Sequence, residues 1–168
     1  MDFSFSSEQT LLQDSVERFI QNDYGFDQRQ KLTGSELGFS KEHWSHFAEL
    51  GWLGLPFAEE DGGFGGSAID TMIVMEAFGK GLVVEPYVST VLMAGSALAH
   101  AGTTAQKESH LAAIIGGEAQ ASLAYIEPQA RFNLNHVVTR AVPDGSDWVI
   151  NGFKGVVLGA PSADLLIV

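Results

Sequence analysis

Residues 114–128 read IIGGEAQASLAYIEP, and the character of the chain changes within this stretch. Upstream of it, apolar residues recur at the spacing of one helix face, whereas downstream short apolar runs alternate with turn residues. The double glycine at 116–117 is a typical signal for the end of a helix. Helices first and strands afterwards predict an α+β fold. We therefore expect a helical domain at residues 1–118 and part of a β domain at residues 119–168.

Serine and threonine residues upstream of this stretch predict where the helices begin. Ser6 is followed three residues later by Gln9, the pattern of a capping box, and Leu12, Val16 and Phe19 then lie on one helix face. Gly25 is expected to end this first helix. Four further helices are expected to begin near Ser40, Ser67, Tyr87 and Thr104.

Turn residues organise the chain downstream of the central stretch. Residues 143–146 read PDGS, which predicts a tight turn between strands at 136–142 and 148–150. Further strands are expected at 121–126, 154–158 and 164–168. A final apolar strand at the end of the chain would leave an exposed sheet edge, which native proteins avoid. We therefore expect the chain to be cut from a longer protein.

Composition excludes several classes of function. The chain has 168 residues, 21 acidic and 9 basic side chains, a formal charge of −12 and no cysteine. This charge disfavours nucleic acid and anionic membranes as partners, because both are bound by clustered lysine and arginine. The absence of cysteine excludes disulfides and thiolate metal sites. The first six residues lack the features of a signal or transit peptide, and no apolar run is long enough to span a membrane, so we expect a cytoplasmic protein.

Three local patterns suggest chemistry but favour a structural interpretation. The glycine run at 62–66 follows a helix rather than a strand and precedes no lysine, so a turn is favoured over a phosphate-binding loop. His43 and His46 lie three residues apart on a predicted helix, but two histidines without a third ligand favour a solvated face over a metal site. The acidic run at 59–61 is favoured as a solvated face over an acid–base group.

Several motifs in one order resemble the acyl-CoA dehydrogenase family. They are FAELGWLGLP at 47–56, EEDGGFGG at 59–66, GTTAQK at 102–107, AYIEP at 124–128 and WVINGFK at 148–154. The glycine run and the sequence KGVVL at 154–158 look most like the small subunit of pimeloyl-CoA dehydrogenases. The resemblance implies a longer subunit with an N-terminal helical domain, an antiparallel, barrel-like middle β domain and a C-terminal helical bundle.

The resemblance also implies a reaction, a cofactor and partners. In this family FAD accepts the β-hydride of an acyl-CoA thioester while a carboxylate removes the α-proton, giving a 2-enoyl-CoA. An electron-transferring flavoprotein takes up the electrons, and the subunits form homo- or hetero-oligomers. The base commonly comes from the C-terminal bundle, so we expect no catalytic residue in this span and no activity from the isolated chain.

The resemblance can be carried over to individual positions. The expected FAD-binding residues are Tyr125, Ile126, Glu127, Val156, Val157 and Leu158, and the expected substrate-binding residues are Tyr87, Arg131 and Phe132. For Tyr87, together with Met93, a place in the core is the favoured alternative. Glu127 is expected to orient its loop rather than transfer a proton.

Some of these positions depart from the family pattern. Ile126 and Leu158 replace threonines and Phe132 replaces a serine, so hydroxyl donors are lost. Arg131 replaces a glycine and is expected to be unable to adopt glycine-only backbone angles. These losses leave two alternatives to a flavoenzyme subunit. One is a partner subunit that has lost its flavin, and the other is an acyl-CoA binder without redox activity.

Overall fold

The computed structural model describes residues 4–168, so residues 1–3, on which the expected absence of a leader partly rests, lie outside the described residues. Four longer helices come first: α1 (Ser7–Asp23), α2 (Phe26–Thr33), α3 (Lys41–Glu49) and α4 (Ala68–Gly81). A π-helical segment, Val88–Gly95, continues directly into α5 (Ser96–Ala101). The last helical run consists of α6 (Thr104–Gln106), a π-helical segment (Lys107–Leu111) and α7 (Ala112–Ile115). Short 3-10 helices occupy Glu59–Asp61, Pro128–Ala130 and Ala160–Ser162.

The predicted helix starts at the serines are confirmed. The Ser6 hydroxyl oxygen accepts a hydrogen bond from the backbone N–H of Gln9 at 3.2 Å, completing a capping box. The Ser40 hydroxyl caps α3 by accepting from the His43 N–H, and Ser67 caps α4 by accepting from the Ile69 N–H and forms a capping box with Asp70. The prediction did not include α2, which buries none of its residues and therefore lacks the apolar periodicity that reveals a helix. Gly25 separates α1 from α2 and serves as the N-cap of α2.

An aromatic cluster forms the centre of the helical part. The ring of Phe47 on α3 stacks on that of Phe78 on α4 with centroids 5.0 Å apart, and Trp52 and Phe19 meet Phe47 at 5.2 Å. All four side chains are almost fully buried. Contacts between aromatic rings stabilise a fold beyond what the burial of their surface alone contributes. This cluster is therefore a major source of stability for the helical part.

The β part is smaller than the sequence predicts. Strand β1 (Ala121–Leu123) pairs in parallel with β4 (Leu165–Ile167), and β2 (Arg140–Asp144) pairs antiparallel with β3 (Asp147–Asn151). The predicted hairpin is confirmed, with Gly145 at φ 65° in its turn.

The β part differs from the expectations in one strand and in the direction of one strand pair, within the described residues. The segment 154–158 is irregular rather than a strand. The described strands form two separate two-stranded sheets, one parallel and one antiparallel, so the β part is not wholly antiparallel. The barrel-like middle domain that the resemblance implies stays a prediction. After the hairpin the chain crosses back to β1 through irregular segments and arrives in the same direction as β1, so the pair is parallel.

Side chains at both edges fix β1 against the helices. The hydroxyl of Thr90, in the π-helical segment, donates to the carbonyl oxygen of Ala121 at 3.1 Å and accepts from its N–H at 3.3 Å. On the other side, Asp164 accepts from the Gln120 N–H at 2.9 Å, and the Gln120 carbonyl accepts from the Asp164 N–H at 2.8 Å. The loop that leaves β1 therefore starts from a firmly held position.

The glycine run is a turn, as the sequence predicts. The N–H groups of Gly63, Gly65 and Gly66 donate to the carbonyl oxygens of Ala58, Phe57 and Leu55 at 2.9, 2.7 and 2.8 Å. A phosphate-binding loop needs its N–H groups directed at the ligand, but here these groups hold the loop against residues 55–58.

Within residues 4–168, the structure contains no helix that is both long and apolar enough to cross a membrane.

Candidate functional site

A backbone hydrogen bond joins the loop after β1 to the segment after β3. The N–H of Gly155 donates to the carbonyl oxygen of Ile126 at 2.7 Å. A Cβ at Gly155 would lie 3.7 Å from both Ile126 and Pro128, which is ordinary van der Waals contact. The two segments predicted to bind the cofactor, 125–127 and 156–158, are thus brought side by side.

Glu127 is the polar centre of this meeting point. Its side chain is fully buried, and one carboxylate oxygen accepts from the Lys154 ammonium at 2.8 Å and from the Thr139 N–H at 3.1 Å. The other oxygen accepts from the Val138 N–H at 2.8 Å and from the amide of Gln129. Hydrogen bonds from Lys154 above all, then from Thr139 and Val138, hold the pKa of Glu127 far below its usual value. The carboxylate therefore stays ionised at neutral and mildly acidic pH.

Apolar side chains are exposed on the two segments that meet here. Tyr125 is 38% exposed, Leu158 is 53% exposed and Val156 is 71% exposed, whereas Ile126 and Val157 are half-buried. None of the aliphatic members carries a hydrogen-bonding group, so this surface offers van der Waals contact together with backbone N–H and C=O groups. Such a surface suits a flat, largely apolar ring better than a charged group.

The backbone at Arg131 corrects one expectation from the sequence. Arg131 has φ 51° and ψ −111°, a conformation that is ordinarily reserved for glycine. The expectation that an arginine is unable to adopt these angles is therefore wrong. The chain keeps the shape of the glycine turn despite the side chain, and Phe132 at its tip is fully exposed. Strain of this kind is often stored at functional sites.

Relief of this strain is measurable. We expect Arg131→Gly to raise the free energy of unfolding by about 1 kcal/mol, since positive-φ strain of about 1–3 kcal/mol disappears while glycine adds entropy to the unfolded chain. Arg131→Ala removes the same charge but keeps the Cβ, and should change stability by less than about 0.5 kcal/mol. Urea denaturation checks both variants. An Arg131→Gly variant less stable than Arg131→Ala would show that the backbone is not strained, because only the entropic cost of glycine would then remain.

Tyr87 lies apart from this meeting point, at the start of the π-helical segment. It is 1% exposed, and its hydroxyl donates to the carbonyl oxygen of Trp52 at 3.0 Å. Burial raises the pKa of the Tyr87 hydroxyl. This geometry matches the favoured alternative of a core residue, and a contact of Tyr87 with substrate stays a prediction.

The two histidines on α3 bond to different carboxylates. His43 Nδ1 lies 3.2 Å from a carboxylate oxygen of the buried Glu85, and His46 Nδ1 lies 3.2 Å from a carboxylate oxygen of the exposed Glu49. No group of three or more potential metal ligands occurs among residues 4–168. The solvated-face interpretation holds for His46, whereas His43 is largely buried.

Lys154, Val138 and Thr139 were not among the predicted site residues. Lys154 enters the sequence analysis only as a motif position, the last residue of WVINGFK and the first of KGVVL, and a single lysine beside apolar residues carries no sign of a buried partner. The contributions of Val138 and Thr139 are backbone N–H groups, which leave no trace in the residue types.

The chain matches one protein-family model, that of the acyl-CoA dehydrogenase N-terminal domain, over residues 6–118. It is 32% identical to a probable acyl-CoA dehydrogenase, YngJ, of Bacillus subtilis, covering 100% of this chain and 44% of that protein. Among solved structures, PigA with FAD and proline superposes with a TM-score of 0.84 at 26% identity, covering 99% of this chain and 44% of that one.

A second solved structure is a complex of two different chains. The ChsE4-ChsE5 complex of Mycobacterium tuberculosis gives a TM-score of 0.77 at 28% identity, covering 92% of this chain and 39% of the matched chain. The chain spans less than half the length of the curated relatives it matches.

Proposed function

Because the chain belongs to the acyl-CoA dehydrogenase family, we propose that the whole protein is a FAD-dependent acyl-CoA dehydrogenase. This chain contributes the N-terminal helical domain, residues 1–118, and the first part of the β domain, residues 119–168. The reaction removes the α-proton and the β-hydride of an acyl-CoA thioester and gives a 2-enoyl-CoA. The observation that carries the proposal is the family match over residues 6–118, supported by the meeting of segments 125–127 and 156–158.

The residues at this meeting point fit FAD in part. The exposed apolar side chains of Tyr125, Val156 and Leu158 suit one face of the flavin ring, and backbone groups can bond to the ring without any particular side chain. Arg131 is exposed, and we assign its guanidinium to a phosphate group of the acyl-CoA substrate rather than to FAD. The hydroxyl donors of the family pattern are missing at Ile126, Phe132 and Leu158. We therefore assign ring binding to apolar contact and backbone groups.

The contribution of this chain is binding and orientation. FAD, when bound, supplies the hydride acceptor, whereas the residues described above hold its surroundings in place and exclude water. Arg131 and Phe132, on the exposed turn, are assigned to the acyl-CoA thioester. We assign no base within this span, and an electron-transferring flavoprotein is the proposed electron acceptor. We place the protein in the cytoplasm.

The narrower assignment concerns subunit composition. We propose a homo- or hetero-oligomer whose nearest type is the small subunit of a pimeloyl-CoA dehydrogenase, on the basis of the glycine run and residues 154–158. The similarity to a chain of the two-component ChsE4-ChsE5 complex supports a heteromeric assembly.

The missing hydroxyls favour a second candidate, a partner subunit without its own flavin. In that case the acyl-CoA dehydrogenase reaction belongs to another chain of the assembly, and this chain serves its structure. The fully exposed Phe132, in place of a serine, is the observation behind this alternative.

Purification of the complete gene product with and without the product of a neighbouring dehydrogenase gene tests both candidates. We expect the protein alone to show visible flavin absorbance, and the assembly to transfer electrons from acyl-CoA to an artificial acceptor. Flavin bound only by the partner would favour the second candidate. A colourless, inactive assembly that takes up no added FAD would contradict both.

A further inference from the structure

The buried carboxylate of Glu127 sits among three chain segments, and we infer that it is a positioning residue that holds the two flavin-facing segments in register. This inference rests on the proposed function. We use the name Glu127 clamp for Glu127 together with its four donors, Gln129, Val138, Thr139 and Lys154. The clamp is assigned no direct contact with FAD or substrate.

Burial and bonding keep Glu127 itself away from any ligand. The residue is 1% exposed, and both carboxylate oxygens are already occupied by donors from the clamp. A fully buried carboxylate with an ion-pair partner at 2.8 Å has neither the access nor a free lone pair facing solvent that a ligand would need. Its influence on the surface must therefore pass through the segments it bonds.

Those segments have few other connections to one another. In the part of the chain that the structure describes, no strand pairing joins β1 to the β2–β3 hairpin, since the two belong to separate sheets. Among residues 4–168, the hydrogen bonds that link the loop after β1 to the hairpin and its flanks are the bond from Gly155 to Ile126 and those of the clamp. The clamp thus replaces the sheet ladder that would otherwise set the register.

The charge of the pair makes this connection specific. The side chain of Lys154 is 13% exposed and that of Glu127 is fully buried. Water therefore solvates neither charge well, and each charge is compensated by the other. Removing one partner of such a pair leaves an uncompensated buried charge, and buried polar pairs are best attested as devices that fix register. Ile126 and Val156 flank the clamp on either side, and a shift of about 1 Å in such supporting residues can cost about a hundredfold at the reacting centre.

Lys154→Met in the complete gene product tests the inference. We expect the dissociation constant of FAD to rise about tenfold or more, because the two halves of the ring-binding surface lose their register. Amide hydrogen exchange of the FAD-free protein should accelerate at Val138 and Thr139, while the helical part keeps its protection. Lys154→Arg retains the charge and should keep the FAD dissociation constant within about threefold of the wild type.

Lys107→Met is the matched control. Lys107 pairs with Asp61 at 3.0 Å in the helical part, and both side chains are largely buried. Loss of this pair should leave the FAD dissociation constant and the exchange at Val138 and Thr139 unchanged. If Lys154→Met does not fold, Glu127→Gln replaces it, since the amide keeps the shape but turns a donor toward one of the N–H groups.

The outcomes separate the inference from the proposed function. Faster exchange at Val138 and Thr139 with unchanged FAD affinity would overturn the inference alone and make the clamp merely structural. An equal loss of FAD affinity in Lys107→Met would overturn it as well, because any lost ion pair would then suffice. A wild-type protein that binds no FAD would overturn the proposed function, and this inference with it.

Discussion

We expect that replacing Glu85 by alanine will lower the free energy of unfolding by about 3–5 kcal/mol, the range observed when one partner of a buried ionic or polar network is removed. The side chain of Glu85 is fully buried in the helical part. One oxygen accepts from the Tyr24 hydroxyl at 2.6 Å, and the other lies 3.3 Å from the Ser40 nitrogen and 3.2 Å from His43 Nδ1. Alanine would leave these groups buried without their acceptor.

The size of this effect follows from what Glu85 joins. Tyr24 follows α1, Ser40 and His43 lie at the start of α3, and Glu85 lies three residues before the first residue of the π-helical segment. The Tyr24 hydroxyl also accepts from the Val84 N–H at 2.9 Å, so the network ties three parts of the chain together. Burial and the hydrogen bond to Glu85 raise the pKa of Tyr24, which therefore remains a neutral donor at physiological pH.

Two further variants calibrate the measurement. Tyr24→Phe removes one donor and should cost about 1.5–3 kcal/mol, the usual contribution of a hydrogen bond to a charged group. Glu49→Ala removes a carboxylate on α3 that is 74% exposed and bonded to His46, and should leave stability unchanged. Urea denaturation followed by the fluorescence of the buried Trp44 and Trp52 reports all three variants. A loss in Glu85→Ala no larger than in Tyr24→Phe would show that the network does not depend on its carboxylate.

The Glu85 network also shows which contacts cannot be predicted from the sequence. The caps at Ser6, Ser40 and Ser67 were predictable because each involves a hydroxyl and an N–H only two or three residues away. Glu85 bonds to Tyr24 across 61 residues, and no local pattern encodes such a distance. The same limit explains the parallel pairing of β1 with β4, since strand direction depends on how the intervening chain returns.

In the candidate site, too, the local segments could be predicted from the sequence, whereas the contacts between them could not. Family motifs identified the segments around Ile126 and Val156, but the hydrogen bond from Gly155 to Ile126 appears only in three dimensions. Glu127 was expected to orient its loop, yet the sequence offered no means of seeing that its donors include two backbone N–H groups. Arg131 illustrates a further limit, because residue type argued against a glycine conformation that the fold imposes nevertheless.

The second large effect is expected in the glycine turn that precedes α4. We expect Gly63→Ala to lower the free energy of unfolding by about 3 kcal/mol, the upper part of the range for overpacked sites. A Cβ at Gly63 would overlap the carbonyl group of Phe57, a residue that is only 2% exposed. Because the obstacle is backbone rather than the end of a flexible side chain, no change of rotamer relieves it.

Gly66 and Gly79 supply the matched comparisons for this turn. A Cβ at Gly66 would lie 2.6 Å from the carbonyl oxygen of Leu55, so Gly66→Ala should also destabilise the protein, whereas a Cβ at Gly79 within α4 meets nothing within 4 Å. Gly79→Ala should therefore stabilise the protein by about 0.5–1 kcal/mol through its higher helix propensity. Denaturation midpoints for the three variants, each made in the complete gene product, decide the matter. A neutral Gly63→Ala beside a stabilising Gly79→Ala would mean that the turn is not packed against residues 55–58, and that its N–H groups are available to a ligand after all.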